Sequence, residues 1–162
     1  LFGAWTGDGH DSAAMYPGRE GVCVYVGDAL SEESVIRAVD AGRFVSLRYP
    51  GVFVDLTAGG ARVGETAKSA ETATVTLSGC GTVDALELIA DGKVVETRGN
   101  FALETGKMRR ETFTIPENAA WIVARVRMKD TGWDERLYSF TPLMCAGCDA
   151  FTNPIFLATK NC

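Results

Sequence analysis

Apolar and polar positions change period once along this chain. Leu30, Val35, Ala38 and Val39 recur at helical spacing. Ser31 stands before them as an N-cap, and Glu32 and Glu33 fill the first turn, where carboxylates meet the positive end of the helix dipole. Gly42 sits where a left-handed C-terminal cap is wanted. The pattern predicts a helix between Ser31 and Gly42, with strands at residues 1–5 and 22–26 ahead of it. From Arg43 onward the period is two. Residues 43–47 and 52–57 predict short strands broken by Tyr49-Pro50-Gly51, and Ala58-Gly59-Gly60 predicts a turn. Val75 and Leu77 share one face of the next strand, with Thr74 and Thr76 on the other. Leu86 and Leu88 alternate with Glu87, and Asp91-Gly92 predicts a hairpin into Val94-Val95. Phe113 and Ile115 form an inward pair stopped by Pro116. Ile122, Ala124, Val126 and Met128 share a face, with Arg125 and Arg127 on a solvated one. Residues 137–140 and 155–157 complete the set.

Short strands separated by turn signals predict a mainly β chain. The expected architecture is an antiparallel, immunoglobulin-like β-sandwich over residues 43–162, preceded by a short α/β segment, residues 1–42. The sandwich is expected to fold on its own from near Arg43, filled by Val75, Leu77, Leu86, Leu88, Ile122, Val126 and Ile155.

A length of 162 residues and 46% hydrophobic content suit one domain, or one domain with a piece of another. The excess of 21 acidic over 16 basic residues argues against nucleic acid or an anionic membrane surface as a partner. No apolar run approaches a membrane span. A start at Leu1 fits a piece of a longer protein. The cysteines, Cys23, Cys80, Cys145, Cys148 and Cys162, are odd in number and widely spaced, so a reduced, cytoplasmic setting is expected.

Candidate chemistry concentrates near the N-terminus, in Thr6-Gly7-Asp8-Gly9-His10-Asp11-Ser12. Asp8 and His10 place two good metal ligands on one tight turn, with Gly on both sides of the Asp. His10 is the one histidine in the sequence, and two ligands do not complete a catalytic metal site. Cys145-Ala146-Gly147-Cys148 has no second such pair and no nearby His, so it reads as loop thiols. Gly59-Gly60 and Gly79-Cys80-Gly81 lack phosphate-loop spacing and read as turns. Trp5, Trp121 and Trp133 read as packing groups rather than a sugar platform.

Four stretches carry a resemblance. Thr6-Gly7-Asp8-Gly9-His10 is similar to the last metal motif of the PHP-domain (polymerase and histidinol phosphatase) superfamily, commonly Gly-Ser-Asp-Ala-His. Residues 38–46 resemble the helix-to-strand junction that leaves that family's barrel. Residues 87–95 resemble the hairpin, and residues 150–156 the closing strand, of the β-sandwich that follows the barrel in one branch. Gly7 departs from the family's usual Ser.

The resemblance implies that residues 1–42 are a remnant of a PHP barrel and that the parent protein is a metal-dependent hydrolase. It implies two or three divalent ions, zinc, manganese or iron, and a small-molecule phosphoester or related substrate. Asp8 and His10 are the ligands it carries over. This chain alone would then be an accessory β-sandwich with no complete active site and no tight metal binding. The other function class is a non-catalytic binding or interaction module. Apolar groups of residues 1–42 would need cover from the sandwich or from a second copy, so a homodimer of the chain is one expected outcome.

Overall fold

The computed structural model describes residues 21–27, 29–47, 52–129 and 150–158. The predicted strands at residues 1–5 and 137–140 lie outside them. So do Trp5, Trp133, Asp8, His10, Cys145, Cys148 and Cys162.

The chain opens with β1 (Gly21–Val24), α1 (Glu32–Asp40) and β2 (Phe44–Leu47). Ser31 Oγ accepts from Ser34 N–H, and Ser34 Oγ accepts from Ser31 N–H. The capping box is thus made by serine, not by either glutamate. At the other end, Gly42 takes φ 68. Its N–H donates to Val39 O and the next N–H, of Arg43, donates to Ala38 O. That pair of bonds is the Schellman arrangement, which glycine reaches without a Cβ penalty.

Strands follow without further helix: β3 (Val52–Ala58), β4 (Ala61–Arg62), β5 (Thr66–Ala67), β6 (Thr72–Gly79), β7 (Gly81–Ala90), β8 (Lys93–Arg98), β9 (Phe101–Leu103), β10 (Met108–Thr114), β11 (Trp121–Met128), β12 (Ala150–Thr152) and β13 (Ile155–Leu157). Among the described residues they form two sheets. The smaller, of four strands, runs β10-β6-β3-β4. The larger, of nine, runs β1-β2-β12-β11, with β7 on the opposite side of β11 and both β8 and β9 on the far edge of β7. β13 also pairs with β11, and β5 joins β13 in parallel.

The two sheets pack face to face as a β-sandwich. Val52, Val54, Leu56, Ala73, Val75 and Leu77 of the smaller sheet meet Leu86, Leu88, Ile122, Ala124 and Val126 of the larger, all buried. The alternation read in β6, β7 and β11 is the alternation observed. Asp91 (φ 48) and Gly92 (φ 79) make the two-residue turn between β7 and β8, both with positive φ as a type I′ hairpin needs. Gly59-Gly60 likewise closes the β3–β4 hairpin, and Gly79-Cys80-Gly81 carries the chain from the smaller sheet to the larger.

β1 hydrogen-bonds to β2 over four residue pairs, from Gly21↔Leu47 to Val24↔Phe44. The described part of residues 21–42 therefore shares a sheet with the sandwich.

Candidate functional site

Asp8 and His10 fall outside the described residues. Among the described residues no group of three or more His, Cys, Asp or Glu side chains is arranged to hold a metal ion. Two polar clusters do assemble, one at each edge of the larger sheet.

The first lies beside β1. Tyr25, one residue past the strand, extends its ladder by donating N–H to Arg43 O (2.8 Å). Its side chain crosses to the outward face of β3. There the phenol donates to Asp55 Oδ1 (3.2 Å), and the ring meets Phe53 edge to face, centroids 6.5 Å apart. The Arg62 guanidinium sits 5.7 Å from the ring centroid. Burial first, and then the Asp55 charge and hydrogen bond, push the Tyr25 phenol above its ordinary range. Burial, then Asp55, also raises the Cys23 thiol. Both groups are therefore neutral at physiological pH. A neutral thiol is a poor nucleophile and a neutral phenol beside a carboxylate is a hydrogen-bond donor. This arrangement fastens β1 to the smaller sheet; it does not activate a nucleophile.

The second cluster lies where β8 and β10 border the open side of the sandwich. Arg98 Nη1 donates to Glu111 Oε2 (2.7 Å) and Nη2 to Thr112 O (2.6 Å), while Nε and Nη2 share Glu96 Oε1. Arg109 Nε donates to the other oxygen of Glu111 (2.7 Å). The guanidinium of Arg98 lies over Phe113, 4.7 Å from its centroid, and that of Arg109 over Phe101, at 3.9 Å. Burial alone would raise the Glu111 carboxyl, whose side chain is 13% exposed. The hydrogen bonds and charges of Arg98 and Arg109 outweigh that and hold it below the usual carboxylate range.

Sequence reasoning missed this second cluster, and the register explains why. From the Asp91-Gly92 turn, Ala90↔Lys93 and Ile89↔Val94 pair as a plain hairpin demands. A bulge after Ile89 then shifts the register, so Leu88 faces Glu96 and Leu86 faces Arg98. Leu86 and Leu88 lie on the inward face of the sheet, so Glu96 and Arg98 lie on that face too, at its edge, with side chains 37% and 36% exposed. An unbulged hairpin would have sent Val95 and Thr97 inward instead.

Arg125 and Arg127 lie on the outer face, as their alternation implies, but each has an acidic neighbour on β7: Glu87 at 2.6 Å and Asp84 at 2.7 Å. The exposed Arg127–Asp84 pair contributes little, whereas the Glu87 side chain is only 13% exposed. Trp121 is half-buried at the start of β11, where its backbone N–H donates to Asp91 Oδ1 (3.2 Å). Among the described residues no helix is long and apolar enough to cross a membrane. No family model, curated protein or solved structure matches this chain.

Proposed function

We propose that the chain is the C-terminal part of a PHP-type metal-dependent hydrolase, a phosphoesterase, in which the β-sandwich is an accessory domain. One observation supports the reading. Three of the four stretches that carry the resemblance fall in one sheet and adjoin through β11: β2 pairs with β12, β12 with β11, and β11 with the β7–β8 hairpin. Asp8 and His10 would supply two ligands to a zinc, manganese or iron centre in the parent protein. Such a centre supplies Lewis-acid polarisation of a phosphoester and a hydroxide nucleophile. The setting would be cytoplasmic, and neither catalytic cluster nor tight metal site is assigned to this chain alone.

The test compares two proteins with manganese and a generic phosphoester. The chain alone should show no turnover above background. The parent protein that carries it should turn over, and His10→Ala should abolish this. Turnover by the 162-residue chain that disappears in His10→Ala would sink the accessory-domain reading. A parent protein with no bound metal would sink the hydrolase reading.

A second reading, a non-catalytic interaction module that forms a homodimer, is favoured by the large apolar side chains that α1 leaves exposed.

A further inference from the structure

β9 and β10 follow one another in the chain but lie in different sheets, joined by a turn in which Lys107 N–H donates to Glu104 O (3.0 Å). Among the described residues no backbone ladder joins β8 or β9 to β10. Side chains do that work instead, and they nest about the turn in order. Arg109 covers Phe101, and further from the turn Arg98 reaches Glu111, Thr112 O and Phe113.

The two cation–π contacts run in opposite senses. Arg98 of the larger sheet lies over Phe113 of the smaller, and Arg109 of the smaller lies over Phe101 of the larger. One carboxylate fixes both guanidinium groups: Glu111 Oε2 accepts from Arg98 and Oε1 from Arg109, each at 2.7 Å. Glu96 also holds Arg98, but both stand on β8 and would move together. The hold of β8 and β9 on β7 is itself interrupted. A bulge shifts the β7–β8 register, and Asn100, at φ 58, kinks the chain between β8 and β9. The cross-sheet contacts are therefore a large part of what keeps this edge in place.

We propose that β8 and β9 are held to β10 by a single clasp keyed by Glu111, so that neutralising this carboxylate frees both arginines together and lets β8–β9 open as one unit while the rest of the sandwich stays folded. This goes beyond the hydrolase reading and involves no residue assigned to it. Edge segments with few ladder bonds are where local opening precedes global unfolding.

Native-state hydrogen exchange of the full chain at neutral pH tests the proposal, with Glu111→Gln as the first variant. A glutamine side chain has one acceptor oxygen and cannot serve two guanidinium groups. The ladder amides of β8 and β9 should exchange at least about tenfold faster, while those of β2 and β12 keep their rates. Arg109→Ala leaves Glu111 in place and reads the coupling from the other side: β8 amides, linked to Arg109 through Glu111 and Arg98, should also exchange faster. In the Glu111→Gln background, Arg98→Ala and Arg109→Ala should each add less than they do alone, because the shared partner is already lost. Exchange unchanged in Glu111→Gln, exchange that rises evenly across all strands, β8 amides indifferent to Arg109→Ala, or fully additive arginine effects each overturns the proposal.

Discussion

The larger sheet ends in two different ways. At β8 its inward edge positions are charged: Arg98 binds Glu96 on its own strand and Glu111 across on β10, where Arg109 takes the other oxygen of Glu111. At β1 a tie to the smaller sheet is the hydrogen bond from the Tyr25 phenol to the Asp55 carboxylate, flanked by Phe53 and Arg62, beside a helix that shows Ile36 and Val39 to solvent. Inward-pointing charge on edge strands is a known way to keep a sandwich from adding strands. The β8 edge is thereby closed by its own side chains. Both edges show apolar side chains, Val22, Ile36 and Val39 at the β1 side and Val94, Val95 and Met108 at the β8 side. The difference lies in the inward polar groups of the two edges, not in which edge shows apolar surface.

The largest effect expected is from removing the β1 edge altogether. A chain starting at Arg43 loses four residue pairs to β2, the Tyr25 bond and the burial of Ala38. We expect a loss of about 3–5 kcal/mol, from roughly 1 kcal/mol for each lost hydrogen bond plus the exposed apolar surface. Denaturant titration of residues 43–162 against the full chain measures it. Equal midpoints would mean that the sandwich is complete without β1, as the periodicity break at Gly42 suggests.

At the β8 edge the substitution that matters is Arg98→Ala. It removes bonds to Glu111, Glu96 and Thr112 O and the cover over Phe113, and it leaves Glu111 with Arg109 alone. The expected loss is about 1–3 kcal/mol, moderated by the partial exposure of the guanidinium. Arg98→Lys should recover only part of it, since an ammonium cannot serve three acceptors in the fixed fork of a guanidinium. The pH dependence has a definite sign. The Glu111 carboxyl is depressed in the folded chain. Its stabilisation is therefore fully present above the ordinary carboxylate value of about 4.3 and lost as pH falls through the folded value. Arg98→Ala should flatten that acid limb; an unchanged limb would remove the cluster from the account.

These two edges also divide what the sequence discloses. The cap at Ser31, the stop at Gly42, the Asp91-Gly92 hairpin and the inward faces of β6, β7 and β11 are local or strictly periodic, and each was legible. The capping partner was less so, because Ser34 stands at the third helical position in place of the Glu or Gln that usually marks a capping box. β4, β5 and β9 are two or three residues long, too short for any period to show. The Arg98 cluster was hidden by the bulge that moves Glu96 and Arg98 to the core side. Tyr25 and Asp55 are 30 residues apart on different sheets, and no spacing rule joins them. The one chemical motif that was legible, Asp8-Gly9-His10, lies outside the described residues.

The smallest effect expected is at Tyr25. Tyr25→Phe keeps the ring on Phe53 and removes only the donor to Asp55, so it should cost about 1 kcal/mol near neutral pH. Its signature is in alkali. The phenol is raised in the folded chain, so its contribution is fully present below the ordinary tyrosine value of about 10 and declines as pH rises beyond it. Midpoints measured between roughly pH 8 and 11 should fall more steeply for the native chain than for Tyr25→Phe. The two edges can then be separated in one pair of variants. Arg98→Ala alters the acid limb and spares the alkaline one, and Tyr25→Phe does the reverse. If either variant changes both limbs, the edges are coupled through the core, and β1 cannot be treated as a separate attachment to an otherwise closed sandwich.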